Sequence, residues 1–421
     1  MERCDIIGIS DSRRQLFAPE VKELVSHGKV FSGGKRHHEI VKALLPDDCV
    51  WIDITVPLEH VFEQYQHHDY IIIFASGDPL FFGFANTVQR ECKGVSMRVF
   101  PSLNSLQMLA HRMCVAYHDM HVVSLTGRDW DKLDEALING ETMIGCLTDR
   151  TKTPHAIYQR MAEYGYINYQ MTVGEHLGNE EKERVSSYHE QAVYEHPNCI
   201  ILQKTAERIR PFGIPDSEFA LLDGREKMIT KMPIRLLTLQ ALELPRRHVL
   251  WDIGSCTGSI SIEARLQFPH LHVEAFEIRS ECEAIIQTNA RRHGAPGINI
   301  HMGDFLNFPL SISSQGDRPF VRGVNFPLSI INYPLANALP HPDAVFIGGH
   351  GGRLKEIMAK VLTVLTDDGV IVMNSVKAPK VLTDSHQLWD EACQELGLRQ
   401  EPPTKIILND NHPIEILKCR R

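Results

Sequence analysis

Neither the cysteines nor the histidines of this 421-residue chain are spaced as metal ligands. The ten cysteines include no Cys-x-x-Cys pair, which argues against a zinc ribbon, and their scatter argues against a disulfide framework. The 22 histidines include neither a His-x-x-x-His nor a His-Glu-x-x-His spacing, the patterns that place two imidazoles on one helix face. We therefore expect a reduced, cytoplasmic protein without a metal site.

Long apolar runs and clusters of basic residues are also missing. No stretch approaches the roughly 18 apolar residues that a membrane span needs, and the charged Glu2-Arg3 pair is not typical of a signal peptide. The formal net charge is −9, whereas binding to nucleic acid relies on clustered lysines and arginines. We expect neither a membrane nor a nucleic acid as a partner.

The sequence does contain a regular alternation of short apolar runs with helical patterns. This alternation is typical of α/β domains with mainly parallel sheets. The chain is too long for one ordinary core, so we expect two domains. Residues 205–216 contain Pro211, Gly213 and Pro215 and are interpreted as a linker. The first domain is then predicted at residues 1–204 and the second at residues 217–421, each folding independently.

The predicted strands follow the apolar runs. In the first domain they are Asp5–Ile9, Val50–Ile54, Tyr70–Ala75, Met97–Phe100, His121–Leu125, Thr142–Leu147, Tyr169–Val173 and Ile200–Lys204. In the second they are Val249–Ile253, Val273–Glu277, Asn299–Met302, Ala344–Ile347 and Val370–Asn374, with a closing hairpin of Lys405–Leu408 and Ile414–Lys418.

In the second domain, acidic residues and a glycine loop follow three successive strands. The loop runs Asp252-Ile253-Gly254-Ser255-Cys256-Thr257-Gly258-Ser259 and opens a helix, the place where a nucleotide-like ligand meets backbone N–H groups. Glu277 ends the next strand, where it can accept hydrogen bonds from both ribose hydroxyls. Asp304 follows the third strand, where it can receive an adenine amino group. This register predicts a nucleoside-binding site.

The loop does not supply the Gly-x-Gly-x-x-Gly of dinucleotide folds. It resembles motif I of the class I methyltransferases instead, with Cys256 where the middle glycine is usual. Together with Phe212–Phe219, Ile229–Lys231 and Pro342–Gly349 it resembles the decarboxylating precorrin methyltransferase family. The resemblance implies a Rossmann-like fold, S-adenosylmethionine as cofactor, methylation of carbon 15 of a corrin ring and decarboxylation of the ring C acetate.

Individual residues of the second domain are candidates for binding the substrate and the cofactor. Thr230, Lys231 and Arg235 are our candidates for orienting substrate carboxylates. The candidate cofactor-binding residues are Asp252, Gly254, Thr257, Gly258, Ser259, Glu277, Asp304 and Gly348.

The strongest run of the first domain is Phe74–Gly83, which follows an apolar strand and contains Gly77-Asp78-Pro79. Glycines allow a ligand to approach the backbone, and Asp-Pro fixes a turn. With Pro101–Ser105, Ser124–Arg128, Thr148–Pro154 and Glu175–Gly178, this run resembles the cobalamin-pathway tetrapyrrole methyltransferases, and best the subfamily that methylates carbon 5. That family has a two-lobed α/β fold with the cofactor between the lobes. The residues implied in cofactor binding are Gly77, Asp78, Pro79, Phe82, Ser102, Ser105, Thr126, Gly127, Thr153 and Pro154.

The two halves together resemble the precorrin-6Y C5,15-methyltransferase family, which implies a tetrapyrrole substrate and a homo-oligomer. One loop departs from the family pattern: it reads Gly8-Ile9-Ser10-Asp11-Ser12 in place of Gly-x-Gly-Pro-Gly. Because of this departure, a catalytically silent first half stays open as one alternative. A methyltransferase acting on RNA or protein is a second alternative. The sequence does not indicate whether the substrate carries cobalt, or which methylation comes first.

The segment Ser311–Leu339 is not covered by the resemblance. It is rich in proline, glycine and asparagine and follows the carboxyl edge of the predicted sheet, where such folds bind ligands. Our hypothesis is a flap that closes over the corrin and excludes water. A surface insertion and an interface with a neighbouring chain are the alternatives.

Overall fold

The computed structural model describes residues 1–225, 228–310, 339–376, 385–407 and 413–421. The hypothesis of a flap falls on residues 311–338, which lie outside the described residues. Within the described ranges, no helix is long and apolar enough to span a bilayer.

The first lobe is an all-parallel sheet of five strands with helices between them. Its strands are β1 (Arg3–Ile9), β2 (Val30–Gly33), β3 (Val50–Asp53), β4 (Tyr70–Ser76) and β5 (Ser96–Phe100), and its helices are α1 (Pro19–His27), α2 (Lys35–Val41), α3 (Glu59–Tyr65) and α4 (Phe84–Glu91), with a 3-10 turn at Lys42–Leu44. The strand order is β3-β2-β4-β1-β5. Four of the five strands were predicted; β2 was missed because its Val-Phe-Ser-Gly sequence is too short to show a pattern.

The second lobe is a five-stranded mixed sheet. Its elements are α5 (Ser105–Met113), β6 (His121–Ser124), α6 (Asp131–Asn139), β7 (Met143–Leu147), α7 (Pro154–Glu163), β8 (Tyr169–Glu175), β9 (Arg184–Ser187) and β10 (Asn198–Lys204). The order is β6-β7-β10-β8-β9, and only β6 and β7 run parallel. The prediction of mainly parallel sheets is wrong for this lobe, because β8, β9 and β10 follow one another without crossover helices.

The third sheet belongs to the C-terminal half and has eight strands. Its elements are α8 (Met232–Ala241), β11 (Val249–Ile253), α9 (Ser259–Gln267), β12 (His272–Glu277), α10 (Glu281–His293), β13 (Ile298–Met302), β14 (Ala344–Ile347), α11 (Leu354–Leu362), β15 (Val370–Val376), α12 (Ser385–Glu395), β16 (Arg399–Gln400), β17 (Thr404–Ile406) and β18 (Ile414–Arg420), with 3-10 turns at Asp216–Glu218, Leu244–Arg246 and Phe305–Asn307.

The first five strands of this sheet run parallel in the order β13-β12-β11-β14-β15, and β18 joins antiparallel. The predicted closing hairpin is confirmed by the pairing of β17 with β18. Apolar side chains cover both faces, with Trp251 and Trp389 on one and Leu250 and Val273 on the other. The two-lobed first half and the Rossmann-like second half are the architecture that the sequence predicted.

The linker is anchored to the first half. Residues 205–215 form no helix or strand, as the prolines predicted, but the Arg208 guanidinium lies 4.7 Å from the centre of the Tyr166 ring and donates to the carbonyl oxygen of Tyr164 at 2.8 Å. Arg210 donates to the Tyr166 hydroxyl at 2.6 Å. That hydroxyl donates in turn to the carbonyl oxygen of Gly294, in the second half, at 2.7 Å.

We expect the halves to fold separately, with the position of the cut affecting stability. Fragments ending at Ala206 and starting at Arg210 each retain complete sheets and should unfold cooperatively. Extending the first fragment to Pro211 should raise its free energy of unfolding by about 1–2 kcal/mol, since Arg208 and Arg210 then cover Tyr166. Chemical denaturation of the three fragments measures this. An insoluble fragment, or one without a cooperative transition, would contradict the independence of the halves.

Candidate active sites

The C-terminal site lies where the strand order reverses, at the carboxyl ends of β11 and β14. From β11 the chain passes through α9 to β12 on one side, while β14 pairs with β11 on the other. In open α/β sheets, ligands bind in the crevice at such a switch point. The structure brings the loop at residues 254–258, Glu277 and Gly348 together at this point.

Gly254 and Gly348 are required because two strand-end loops touch there. Gly254 has φ +78°, and a Cβ on it would lie 2.7 Å from the backbone nitrogen of Gly349. A Cβ on Gly348 would lie 2.9 Å from the carbonyl oxygen of Gly254. Any larger side chain at either position must therefore push the two loops apart.

Cys256 adopts the conformation of the glycine that it replaces. Its φ is +49°, in the left-handed region that costs a residue with a Cβ about 1–2 kcal/mol. Its backbone N–H donates to Oε2 of Glu277 at 2.8 Å. Burial raises the pKa of the Cys256 thiol, so the thiol is neutral at physiological pH, as expected of a packing residue rather than a nucleophile.

Glu277 organises the loop as well as facing the site. Its side chain is buried, and Oε1 accepts hydrogen bonds from the backbone nitrogens of Ile278 and Arg279, both at 2.9 Å. Oε2 accepts only from Cys256 among the described residues. Oε2 of Glu277 thus keeps a lone pair for a ribose hydroxyl. The predicted hydrogen bonds from both ribose hydroxyls would compete with the three backbone N–H groups that already donate to this carboxylate.

Asp252 offers the unused acceptor in this site. Oδ2 accepts from the Ser261 hydroxyl at 2.6 Å, while the buried Oδ1 has no hydrogen-bond partner within the described residues. The buried Ser255 hydroxyl at the loop is equally without a partner there. These orphaned groups, beside a loop held open by glycines, fit the polar amino-acid end of a nucleoside cofactor.

Burial raises the pKa of Asp252 to about 7, so the stability of the cofactor-free protein should depend on this group. Its folded-state pKa lies above the ordinary value of 3.8, so the folded protein binds the extra proton. The free energy of unfolding should therefore decrease as the pH rises from about 4 to about 7, by up to about 1.4 kcal/mol per pH unit. Asp252→Asn should remove this component. Urea unfolding of both proteins at pH 5 and pH 7 measures it, and an equal change in both would refute it.

Asp304 is already engaged within the protein, and Thr257 and Ser259 are buried. Asp304 accepts from the backbone nitrogen of Leu306 at 3.0 Å and pairs with Arg353 at 3.0 Å, and these contacts hold the pKa of its carboxyl below the usual range. Thr257 and Ser259 are buried at the start of α9. Adenine contact by Asp304 remains a proposal, and Arg353 is a neighbour that the sequence did not indicate.

The prediction for Arg235 is wrong. Its side chain is 0% exposed, and the guanidinium pairs with Glu263 at 3.1 Å and with Asp216 at 3.3 Å. It also donates to the carbonyl oxygens of Thr230 and Ile214. A guanidinium that is buried and used in this way joins α8 to α9 and cannot reach a substrate carboxylate.

Thr230 and Lys231 remain available, because they precede the helix. Lys231 is 48% exposed, and its Nζ lies 3.7 Å from Asp216. Thr230 is partly buried. Both stay proposals as substrate-orienting residues.

The N-terminal site is a cavity of about 540 Å³ between the two lobes. Of the predicted residues, Gly77, Phe82, Ser105 and Thr126 line it. Gly8 and Gly77 allow close contact at its floor, because a Cβ on Gly8 would lie 2.0 Å from the carbonyl oxygen of Gly77. The backbone nitrogen of Ser102 donates to the same oxygen at 3.2 Å.

The other predicted residues are not among those that line the cavity, and they make contacts with nearby parts of the chain. Asp78 accepts from the backbone nitrogen of Leu80 at 2.9 Å, and Pro79 is buried under α4. Gly127, with φ +59°, donates to Asp149. Thr153 caps α7, and Pro154 is its first residue. These contacts explain the residue types without a ligand, so their role in cofactor binding remains a proposal.

Several polar residues that line this cavity were not among the predicted site residues, including all of the charged ones. Asp11, Arg36, His37 and Ser76 all face it. Arg36 and His37 follow β2, the strand that was not predicted, so their place at the carboxyl edge of the sheet could not be seen. The departure of the Gly8–Ser12 loop from the family pattern was the one available signal.

Comparisons with known proteins agree with this geometry. Residues 223–323 match the precorrin methyltransferase domain. The decarboxylating precorrin-6Y C(5,15)-methyltransferase of Sinorhizobium sp is 29% identical over 90% of this chain and 87% of its own length. The decarboxylating cobalt-precorrin-6B C(15)-methyltransferase of Salmonella typhimurium is 32% identical over 48% of this chain and 93% of its own.

The chain belongs to the precorrin methyltransferase family. It is therefore a methyltransferase. A further relative, the cobalt-precorrin-7 C(5)-methyltransferase of Salmonella typhimurium, is 27% identical over 42% of this chain and 85% of its own length. Two of these relatives each match about half of this chain, and the third matches nearly all of it.

Proposed function

We propose that this chain methylates carbons 5 and 15 of a precorrin-6 type corrin and decarboxylates its ring C acetate, in cobalamin biosynthesis. The observation that carries the proposal is the presence of two separate candidate sites in one chain. A relative that matches 90% of this chain is named for methylation at both carbons. The C-terminal half would act on carbon 15 and remove carbon dioxide, and the N-terminal half would act on carbon 5.

Binding and orientation are the work of the protein side chains. When bound, S-adenosylmethionine supplies an electrophilic methyl group to an enamine-like ring carbon. In the C-terminal site, Glu277 and the Gly254 loop would hold the nucleoside, and Asp252 the amino group. Lys231 would orient a ring carboxylate. Holding the two reactants in line is the main rate term for such a transfer.

In the decarboxylation, the bond between the methylene carbon and the carboxylate breaks. Its electron pair moves into a protonated ring imine, carbon dioxide leaves, and a proton then adds to the methylene carbon. The described protein residues need only keep water from the carboxylate, because the ring itself accepts the electrons.

The competing proposal is a silent N-terminal half. The charged Asp11 in the Gly8–Ser12 loop favours it, since the family pattern has proline there. The cavity between the lobes favours methylation by this half, and we retain that activity as the proposal. We also propose a homo-oligomer in the cytoplasm without a nucleic-acid partner.

Mass analysis of the products tests the function. The full chain, supplied with a precorrin-6 type corrin and S-adenosylmethionine, should give a product with two added methyl groups that has lost carbon dioxide. Gly77→Ala, whose Cβ would lie 2.9 Å from Cα of Asn104, should leave only the product methylated at carbon 15 and decarboxylated. A wild-type product with a single new methyl group would establish the silent half instead.

A further inference from the structure

We propose that Arg36 and Ser76 form a binding site for one ring carboxylate in the N-terminal cavity, and that Asp11 weakens this site. The inference rests on the proposed activity at carbon 5. Three charged or hydroxyl side chains that line the cavity contact one another. Arg36 Nη2 donates to the Ser76 hydroxyl at 3.0 Å, and Arg36 Nη1 donates to Asp11 at 3.1 Å.

The hydrogen bonds of His37 determine what Ser76 can do. The backbone N–H of Gly34 donates to His37 Nδ1 at 3.2 Å, so the ring proton of the neutral imidazole is on Nε2. Burial, with a contribution from Arg36, lowers the pKa of His37 to about 4, so the ring is neutral at physiological pH. Nε2 lies 2.9 Å from Ser76 Oγ. Its proton can be donated to that oxygen or to the backbone of Phe74, and in neither case can Nε2 accept the Ser76 proton.

Ser76 thus accepts a hydrogen bond from Arg36 and lies against the protonated Nε2 of His37, so its own proton is left to donate. These contacts of Ser76 Oγ within the described residues leave that proton unused. The Ser76 side chain is exposed, and the Arg36 side chain is 43% exposed. A guanidinium fork and a hydroxyl donor directed into one cavity are the groups that a carboxylate requires.

Asp11 competes for the same guanidinium. It is mostly buried, 11% exposed, and also lies 3.5 Å from His176 and 3.3 Å from Asn179. It is the only acidic residue among the described residues that line the cavity, and Arg36 is the only basic one apart from the neutral His37. Its charge therefore cancels that of Arg36 and repels a polycarboxylate, which a neutral residue in this loop would not do.

The experiment uses the full chain and measures carbon 5 methylation of the corrin that its own C-terminal half produces. Arg36→Gln should raise KM for the corrin by about 10- to 150-fold, the range for losing a hydrogen bond to a charged group. Asp11→Asn, with nearly the same shape, should lower KM. Arg36→Lys should fall between wild type and Arg36→Gln, and Lys35→Gln, on the same helix but outside the cavity lining, should behave as wild type.

Two readouts separate this site from a structural role. The affinity of the N-terminal site for S-adenosylhomocysteine and the methylation at carbon 15 should stay within about twofold of wild type in every variant. An unchanged KM in Arg36→Gln, or a raised KM in Asp11→Asn, would overturn the inference. If wild type does not methylate carbon 5, the proposed activity fails; the corrin's absorbance titration then still tests Arg36, because Arg36→Gln should weaken its binding.

Discussion

Glu277→Ala is expected to weaken cofactor binding at the C-terminal site by about 100-fold while leaving the N-terminal site unchanged. The substitution removes the acceptor of the backbone N–H groups of Cys256, Ile278 and Arg279. A buried donor left without an acceptor costs about 1–3 kcal/mol. The loop that faces the cofactor would therefore lose its shape, in addition to the loss of a contact with the ribose.

The measurement is calorimetric titration of the full chain with S-adenosylhomocysteine. Glu281→Ala is the matched control, because it removes an exposed carboxylate at the start of the following helix and should leave both sites unchanged. If Glu277→Ala retained wild-type affinity at both sites, neither the loop contacts nor the ribose contact would contribute to binding.

Gly254→Ala is expected to abolish carbon 15 methylation and to lower the free energy of unfolding by about 2–4 kcal/mol. About 1 kcal/mol follows from placing a Cβ at φ +78°. A further 1–3 kcal/mol follows from overpacking, since the new Cβ would lie 2.7 Å from the backbone nitrogen of Gly349. Backbone atoms cannot rotate away as a flexible side chain can, so the two loops must separate.

Gly352→Ala is the control for this effect. Gly352 has a similar φ of +82°, and nothing lies within 4 Å of its added Cβ. It should therefore show only the conformational cost. Thermal melts and product masses of the two variants isolate the contact; equal losses in both would show that the clash with Gly349 has no consequence.

The fold of the C-terminal half could be predicted closely because its local signals agree. Val249–Ile253 and Ala344–Ile347 are strands with the predicted bounds, since both are mainly apolar runs, interrupted only by Asp252, that end in a glycine loop or a Gly-Gly pair. Gly294 ends α10 at φ +71°, the left-handed conformation typical of a helix C-cap. The second lobe was less predictable, because parallel or antiparallel pairing depends on connections that no strand encodes by itself.

The site was predictable in its backbone and less so in its side chains. The positions of Gly254, Glu277 and Gly348 follow from strand ends. The hydrogen bonds from the loop nitrogens to Glu277 do not, because they depend on which carboxylate those nitrogens reach in three dimensions. Arg235 was misinterpreted for the same reason: its partner Glu263 is 28 residues away in sequence, and spacing alone gives no sign that the two are buried together.

The most direct test of the two-site enzyme is the number of S-adenosylhomocysteine molecules that one chain binds. We expect two, one lost in Glu277→Ala and the other in Gly77→Ala, with each variant retaining the remaining site at wild-type affinity. A wild-type chain that binds one molecule, lost in Glu277→Ala and unaffected in Gly77→Ala, would contradict an active N-terminal half.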